Sequence, residues 1–235
     1  MSEPAPTRRP GAGHARAISL TGVTRVFGAQ PAIIGVSLRV ERGEVVLVRG
    51  ANGAGKSTLL RVVATALSPT YGSGVVLGFD LASERDEIRR RTDLLTHRTR
   101  LYEELSAAEN LGFSCALHGL DPALVPEALE RVGLAGAAGE RVSGFSHGMR
   151  QRVAVARTML RRAELLLLDE PYAGLDGDAR EVVDQVVVAA RDAGRTVLLA
   201  THEPTRAGLA TRTIVLEAGR LHPHPVPPSR SGVLG

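Results

Sequence analysis

The sequence has 235 residues, 43% of them hydrophobic, which is enough for one large domain with a buried core. No run approaches the roughly eighteen consecutive apolar residues of a spanning helix, and no apolar stretch follows the first arginines, so we expect a soluble, cytoplasmic chain without a signal peptide. The net charge is +4, but the arginines are scattered among acidic residues, which argues against a nucleic-acid partner.

Both ends of the chain have a composition typical of disorder. Residues 1–16 are rich in Pro, Gly, Ala and Arg, and residues 221–235 are rich in Pro. Neither segment can offset its ordering entropy by burial, so we expect two disordered tails around one folded domain at 17–220. A first group of strands, between Ile18 and Val46, opens that domain.

A glycine-rich turn follows the first strands. The turn matches G-x-x-x-x-G-K-[ST] and lies between a buried-strand pattern and an apolar-periodic helix, which is the context that this motif requires. Such a turn wraps a phosphate with backbone N–H groups, and the helix presents its positive dipole end to the same anion. The predicted phosphate-binding residues are Gly50, Asn52, Gly53, Ala54, Gly55, Lys56, Ser57 and Thr58.

Lys56 is the only lysine in a chain with 29 lysine and arginine residues. A sequence so rich in arginine would be expected to place arginine here too, unless the position needs a compact ammonium group. We therefore expect a catalytic Lys56 that reaches the β- and γ-phosphates of ATP, with the Ser57 hydroxyl binding Mg²⁺.

A helix-rich segment, from about residue 89 to residue 162, interrupts the strands. Ser106 and Glu109 have the spacing of a capping box, and Asp121 precedes a first-turn proline, so we predict that helices begin at both places. Cys115 is the only cysteine and lies in an apolar stretch typical of a helix face, so we expect it to pack in the core.

Two acidic residues follow the next buried strand. Four consecutive leucines, 165–168, indicate a strand that is buried on both faces, so Asp169 emerges at its carboxyl end, where ligands bind in parallel sheets. We expect Asp169 to hold Mg²⁺ and Glu170 to polarise the water that attacks the γ-phosphate. Two solvated acids at a strand end are the alternative.

The segment from Phe145 to Arg152 resembles the L-S-G-G-Q signature of ABC ATPases. Ser146 and Gly148 match that signature, whereas Phe145, His147 and Met149 replace its other residues. The resemblance implies an α/β P-loop NTPase of the ABC type, with a mixed core sheet, an antiparallel β subdomain and a helical subdomain at about 89–162. In this family the signature faces the γ-phosphate that a second subunit holds, which implies a head-to-tail dimer with ATP at its interface.

Four further positions resemble motifs of the same family. Asp176 lies in a segment similar to the D-loop, which contacts the opposing phosphate loop, and His202 matches the switch histidine that bonds the γ-phosphate. Phe27 matches the aromatic residue that stacks on adenine, with a core role as the alternative. His97 stands where the Q-loop glutamine is usual, which implies a part in coupling near the bound nucleotide, with a solvated histidine as the alternative.

The resemblance also implies a separate, multi-spanning permease, with this chain peripheral on the inner face of the cell membrane. A short helix of the permease would enter a groove of the helical subdomain, for which the candidate residues are Arg98, Arg100, Tyr102 and Glu103. His97 and a short chain without a C-terminal regulatory domain resemble the ATPase of haem exporters of cytochrome c maturation.

The signature variant Ser-x-Gly-Met at 146–149 instead resembles ATPases of ABC-2 type exporters of drugs, lipids or polysaccharides. A soluble ABC ATPase of translation or DNA repair is less favoured, because those types carry two such domains or long heptad segments.

Overall fold

The computed structural model describes residues 16–202 and 208–223, which form two sheets and six α-helices. The strands are β1 (Arg16–Phe27), β2 (Gln30–Glu41), β3 (Val45–Arg49), β4 (Tyr71–Val76), β5 (Phe79–Asp80), β6 (Thr92–Leu95), β7 (Leu165–Asp169), β8 (Thr196–Ala200), β9 (Arg212–Glu217) and β10 (Arg220–Pro223). The helices are α1 (Lys56–Val63), α2 (Arg85–Arg91), α3 (Ala107–His118), α4 (Val125–Arg131), α5 (His147–Arg161) and α6 (Gly177–Asp192).

The larger sheet has the strand order β10-β9-β3-β8-β7-β6. All neighbouring strands in it are parallel except β9 and β10, which form an antiparallel pair at one edge. Strands β7 and β8 are buried along their whole length, as the runs of apolar residues predict for parallel strands that are covered on both faces. Their carboxyl ends therefore meet at the same edge of the sheet.

The smaller sheet is antiparallel, with the order β2-β1-β4-β5. In β2 the buried residues Val36, Leu38 and Val40 alternate with exposed ones, because one face of this sheet packs on the core and the other faces solvent.

Two hydrophobic cores lie on opposite faces of the larger sheet, and the period of two along each strand divides the residues between them. In β7, Leu166 and Leu168 pack in the core that α3, α4, α5 and α6 cover. Leu165 and Leu167 pack in the other core, together with α1 and the smaller sheet. The mixed core sheet, the antiparallel sheet and the helical region agree with the predicted fold class.

The helical region confirms the local sequence signals. Ser106 caps α3 in a capping box with Glu109, and Asp121 accepts a hydrogen bond from the N–H of Ala123 at the start of a 3₁₀ helix, Pro122–Leu124. Cys115 is fully buried, as the apolar stretch around it predicts. In the part of the chain that the structure describes, no helix combines the length and the apolar character needed to cross a membrane.

Three boundaries differ from the predicted ones. Arg16 and residues 221–223, which the composition assigns to disordered tails, belong to β1 and β10. Strand β10 holds Pro223 because an edge strand tolerates a residue without an N–H group. The segment predicted as helix-rich from about residue 89 starts with the last turn of α2 and then contains β6, so its main helical part begins at α3. The rest of both predicted tails lies outside the described residues.

Candidate active site

The glycine-rich turn joins β3 to α1, and its backbone can be built only with glycine at two positions. Gly50 has a φ of 155° and Gly55 a φ of 103°, and a Cβ at either would lie within 2.4 Å of a backbone oxygen, that of Leu216 or of Ala32. Gly55 is the N-cap of α1 and has no side chain, so no side-chain acceptor covers the first N–H groups of the helix. A helix start without a side-chain cap is the arrangement that the motif predicts for an anion.

The ammonium group of Lys56 is almost completely buried, with 5% of the residue exposed. It donates hydrogen bonds to the carbonyl oxygens of Gly50 (2.7 Å) and Ala51 (3.3 Å) and lies 3.4 Å from Oε1 of Glu170. The distance to Glu170 is that of an ion pair, but the geometry is not that of a hydrogen bond, because Oε1 has no hydrogen-bond partner in the described residues. Lys56 therefore links the phosphate loop to the acidic end of β7.

Ser57 and Asp169 meet across this edge of the sheet. The Ser57 hydroxyl donates to Oδ1 of Asp169 at 2.8 Å, whereas the buried Oδ2 of Asp169 has no hydrogen-bond partner among the described residues. Burial raises the pKa of the Asp169 carboxyl above its ordinary value of 3.8, and the hydrogen bond from Ser57 opposes this effect. A buried carboxylate oxygen without a partner, beside a hydroxyl group, is a donor set that suits Mg²⁺.

Glu170 has a left-handed backbone, with a φ of 50°, which is rare for a residue other than glycine and costs about 1–3 kcal/mol. Its N–H donates to the carbonyl oxygen of Ala200 at 2.8 Å, and its Oε2 lies 3.0 Å from Nδ1 of His202. The parallel pairing of β7 with β8 produces this contact, because Asp169 and Ala200 are opposite each other at the strand ends. Lys56, Ser57, Asp169, Glu170 and His202, which we call the edge cluster, therefore form one site.

The other predicted residues of the phosphate loop surround the edge cluster. Asn52 and Gly53 are exposed at the tip of the turn, and Thr58 is half-buried in the first turn of α1. Ala54 is buried, and its carbonyl oxygen accepts a hydrogen bond from the N–H of Gly219 at 3.1 Å. The turn between β9 and β10 thus supports the phosphate loop from behind, a contact that no local sequence signal predicts.

Phe27 lies at the end of β1 with 45% of its surface exposed, so the alternative of a core phenylalanine is wrong. The guanidinium group of Arg25 lies over its ring, 4.7 Å from the ring centre. Ala32, on the strand that pairs with β1, contacts Gly55 of the phosphate loop. The exposed ring is therefore on the hairpin that packs beside the predicted nucleotide site.

His97 is exposed and follows β6, which pairs in parallel with β7. It is close enough to Asp169 for its charge to lower the pKa of that carboxyl. In the described residues the His97 side chain makes no hydrogen bond, so its predicted role in coupling stays a prediction.

Ser146, Gly148 and Asp176 form a second cluster, which we call the signature cluster. Ser146 caps α5 by accepting from the N–H of Met149 at 3.2 Å, and Asp176 caps α6 by accepting from the N–H of Ala179 at 3.1 Å. Within the described ranges, the side-chain hydrogen bonds of Ser146 and Asp176 stay in this part of the chain and do not reach the phosphate loop.

Two contacts join the parts of the signature cluster. The ring of His147 packs on Gly174, where an added Cβ would lie 2.6 Å from ring atom Cδ2. Arg152 donates to Oδ1 of Asp176 at 2.6 Å and also to the carbonyl oxygen of Val132. The sequence gives no signal for this role of Arg152, because no local pattern marks a contact between residues 24 positions apart.

A groove of about 490 Å³ lies between α3, α5 and β6. Of the four residues predicted for the permease groove, Arg100 and Tyr102 line it, whereas Arg98 and Glu103 do not. The groove also contains the half-buried Arg157, which lies on α5 beyond the signature and carries no sequence signal of its own.

Comparison with known proteins identifies the family. The family model described as ABC transporter matches residues 33–173, more than half of the chain. The chain belongs to the ABC transporter family. This ABC protein is an ATPase domain that binds and hydrolyses ATP, in agreement with its phosphate loop and its signature.

Two curated relatives of this ABC ATPase are similar along most of the chain. The cytochrome c biogenesis ATP-binding export protein CcmA of Xanthomonas oryzae pv. oryzae is 40% identical over 221 residues, which cover 93% of this chain and 99% of CcmA. The daunorubicin/doxorubicin resistance ATP-binding protein DrrA of Streptomyces peucetius is 38% identical over 211 residues, which cover 88% of this chain but only 64% of DrrA.

A solved structure has the same fold as this ABC ATPase. It is the ATP-binding cassette MJ0796, described as a dimer in a post-hydrolysis state bound to ADP and Pi. It is 26% identical, with a TM-score of 0.80 over 88% of this chain and 98% of MJ0796.

Proposed function

We propose that this ABC ATPase binds Mg²⁺-ATP at the edge cluster, dimerises head to tail on ATP and drives a separate permease that exports haem for cytochrome c maturation. The observation that carries the ATPase part is the meeting of Lys56, Asp169, Glu170 and His202 at one strand edge, next to the phosphate loop. The similarity to CcmA over nearly the whole of both chains supports the choice of haem.

The phosphate loop provides the charge that binds the triphosphate. The first N–H groups of α1 have no side-chain cap, and the ammonium of Lys56 can exchange its bonds to the carbonyl oxygens of Gly50 and Ala51 for bonds to the charged β- and γ-phosphates. The exposed ring of Phe27 offers a stacking surface for adenine on the neighbouring hairpin.

Asp169 and Ser57 are the residues that would hold Mg²⁺. Among the described residues no group of three His, Cys, Asp or Glu side chains could hold a metal ion alone, so phosphate and water oxygens complete such a site. The ion, when bound, reduces the negative charge on the phosphate oxygens.

Glu170 is the group that orients the attacking water. Its carboxylate is fixed on both sides, by Lys56 at 3.4 Å and by His202 at 3.0 Å, and an exchange of the Lys56 contact for a water molecule would place an acceptor beside the γ-phosphate. His202 contacts Oε2 of Glu170 through Nδ1 at 3.0 Å, which leaves Nε2 as the ring nitrogen for the γ-phosphate.

The requirement for an ammonium group at position 56 tests the ATPase part of the proposal. Both Lys56→Ala and Lys56→Arg should lower kcat for phosphate release by at least about 100-fold, since the buried site has no room for a planar guanidinium and loses a transition-state contact. Arg98→Lys, an exchange at an exposed position, is the control and should keep turnover. Turnover by Lys56→Arg within about threefold of the unchanged chain would contradict this role.

Deletion of the gene in its own host tests the choice of haem. The expected result is the loss of covalently bound haem from c-type cytochromes, restored by the unchanged gene but not by Lys56→Ala. Normal c-type cytochromes in the deletion strain would refute haem export.

The second candidate is the ATPase of an ABC-2 type exporter of drugs, lipids or polysaccharides. Met149 in the signature and the similarity to DrrA favour it. A deletion strain with normal c-type cytochromes and a raised sensitivity to amphipathic drugs would support this candidate against the first.

A further inference from the structure

The groove between α3, α5 and β6 is strongly cationic. Four guanidinium groups and one carboxylate line it, from Arg89, Arg100, Arg157, Arg161 and Asp93. None of these five residues belongs to the edge cluster. The contacts that each arginine makes within the chain show which of them remain available to a ligand.

Two of the four arginines are already paired. Arg161 donates to Oδ1 of the buried Asp93 at 2.9 Å, and Arg89 donates to the carbonyl and hydroxyl oxygens of Thr65, both at 3.0 Å. These bonds hold the floor of the groove together and leave little capacity for a ligand.

Arg100 and Arg157 have no hydrogen bond or ion pair with any residue that the structure describes. Arg157 is half-buried, and burial lowers the pKa of its guanidinium group. The negative charge of Asp93 raises this pKa, but the like charges of Arg161 and Arg100 lower it further, so it stays below its ordinary value. An arginine remains charged under such conditions, so the groove holds positive charge that needs an anion.

Part of the groove lining, which we call its rim, is apolar. Phe113 and Leu117, one turn apart on α3, are 47% and 68% exposed, and the ring of Phe113 packs edge-on against that of Tyr102 at 5.1 Å. Asn110 fixes the Tyr102 backbone by accepting from its N–H at 2.8 Å and donating to its carbonyl oxygen at 3.0 Å. The rim thus offers an exposed apolar surface to apolar side chains.

We propose that the permease segment that enters this groove is amphipathic and acidic, with one carboxylate side chain seated against Arg100 and Arg157 and apolar side chains on Phe113 and Leu117. This inference rests on the proposed function, because it defines the chemistry of the permease partner. The unpaired guanidinium groups favour a carboxylate on the permease segment, and the apolar rim favours apolar side chains on the same segment.

Two synthetic helical peptides test the charge requirement. They have the same length and the same leucine positions and differ at one central residue, which is Glu in one and Gln in the other. Fluorescence anisotropy should show that the full chain binds the Glu peptide about tenfold more tightly, because the carboxylate is paired with two guanidinium groups, of which that of Arg157 is half-buried. Equal affinities, or no binding of the Glu peptide at about 1 mM, would overturn the proposal.

Variants of the groove locate the effect. Arg100→Gln and Arg157→Gln should each reduce the preference for Glu to about twofold, whereas Arg98→Gln, an exposed position outside the groove, should keep it. Arg100 is exposed, so its variant is informative even if Arg157→Gln affects folding. A preference that survives both groove variants, or that Arg98→Gln also removes, would overturn the proposal.

Two further measurements separate the other outcomes. Vesicles of phosphatidylglycerol should bind the Arg157→Gln chain and the unchanged chain equally well. If vesicle binding requires Arg157 and the chain shows no preference for the Glu peptide, the ligand of the groove is a lipid headgroup and not a permease segment. Mg²⁺-ATP binding is measured in the same preparations. Normal ATP binding without a Glu preference defeats this inference alone, whereas absent ATP binding defeats the proposed function.

Discussion

The carboxylate of Asp169 is buried, and burial disfavours its ionised form. Only 1% of the residue is exposed, one oxygen accepts from Ser57 and the other has no partner among the described residues. Because burial raises the pKa of this carboxyl, the folded chain binds its proton more tightly than the unfolded chain does, and the ionised form costs stability. The ionised carboxylate therefore lowers the stability of the fold but leaves a free oxygen for the Mg²⁺ that we propose at this site.

Asp169→Asn should consequently stabilise the protein at neutral pH while it removes ATP turnover. We expect the free energy of unfolding at pH 7 to rise by on the order of 1 kcal/mol, since the amide keeps the acceptor for Ser57 and has no charge to bury. The gain should be complete above the raised pKa of the folded state and should vanish as pH falls below the unfolded value near 3.8, where both states are protonated. Urea denaturation across this range measures it.

Asp176→Asn is the matched control, because the pKa of Asp176 is lowered by the N–H of Ala179 and by Arg152. Its ionised form therefore adds stability above the unfolded pKa, and this stability is lost as pH falls through the folded pKa. Asp176→Asn should destabilise the chain at pH 7. A stabilising Asp176→Asn, or a destabilising Asp169→Asn, would show that the environments of the two carboxyls have been assigned wrongly.

At the scale of elements, the sequence predicts what depends on local pattern. The phosphate loop before α1, the capping box of α3 and the leucine strand β7 are each specified by residues within one element, and the structure has all three. The parallel strands also predict that Asp169 and His202 lie at one edge.

Contacts between distant elements could not be predicted in the same way. The pairing of Glu170 with both Lys56 and His202 depends on side-chain rotamers, and the pairing of Arg152 with Asp176 depends on how α5 packs against the start of α6. Strand β10 was missed because a proline-rich composition describes an average, whereas its pairing with β9 depends on a turn at Gly219 and on an edge position.

The packing of His147 on Gly174 gives a test of the signature cluster. Gly174→Ala should destabilise the chain by about 1–3 kcal/mol, because Gly174 has a φ of 73° and its added Cβ would overlap the His147 ring. In a His147→Ala background the same change should cost less, since only the backbone strain remains.

Gly177→Ala is the control for this pair of variants. Gly177 is the first residue of α6 and has open space around it, so alanine there should be neutral or slightly stabilising. Urea denaturation of the single and double variants gives the coupling between positions 147 and 174. Equal costs of Gly174→Ala in both backgrounds would show that the ring does not restrict this segment.

At the scale of the whole molecule, the chain carries two proposed half-sites that do not meet in the described residues. We propose that the edge cluster holds the groups for phosphate and water, whereas the signature cluster presents Ser146 and the N–H groups at the start of α5. A helix start with a serine cap suits an anion, yet the phosphate loop of the same chain makes no hydrogen bond with it in the described residues. A second copy arranged head to tail would bring each half-site to the other.

Glu170→Gln should therefore trap that assembly. The amide keeps the size of the side chain but cannot accept a proton from water, so bound ATP persists and holds two chains together. Size-exclusion chromatography with light scattering should show twice the monomer mass of 24.8 kDa with Mg²⁺-ATP and the monomer mass with Mg²⁺-ADP.

Adding Ser146→Glu to this variant should restore the monomer in Mg²⁺-ATP, because a carboxylate at the start of α5 would face the γ-phosphate of the opposing chain. ATP binding should remain in the double variant, since the phosphate loop is unchanged, and equilibrium dialysis measures it. If Glu170→Gln stays monomeric at saturating Mg²⁺-ATP, or if Ser146→Glu leaves the dimer intact, the two half-sites do not complete each other and ATP must be hydrolysed within one chain.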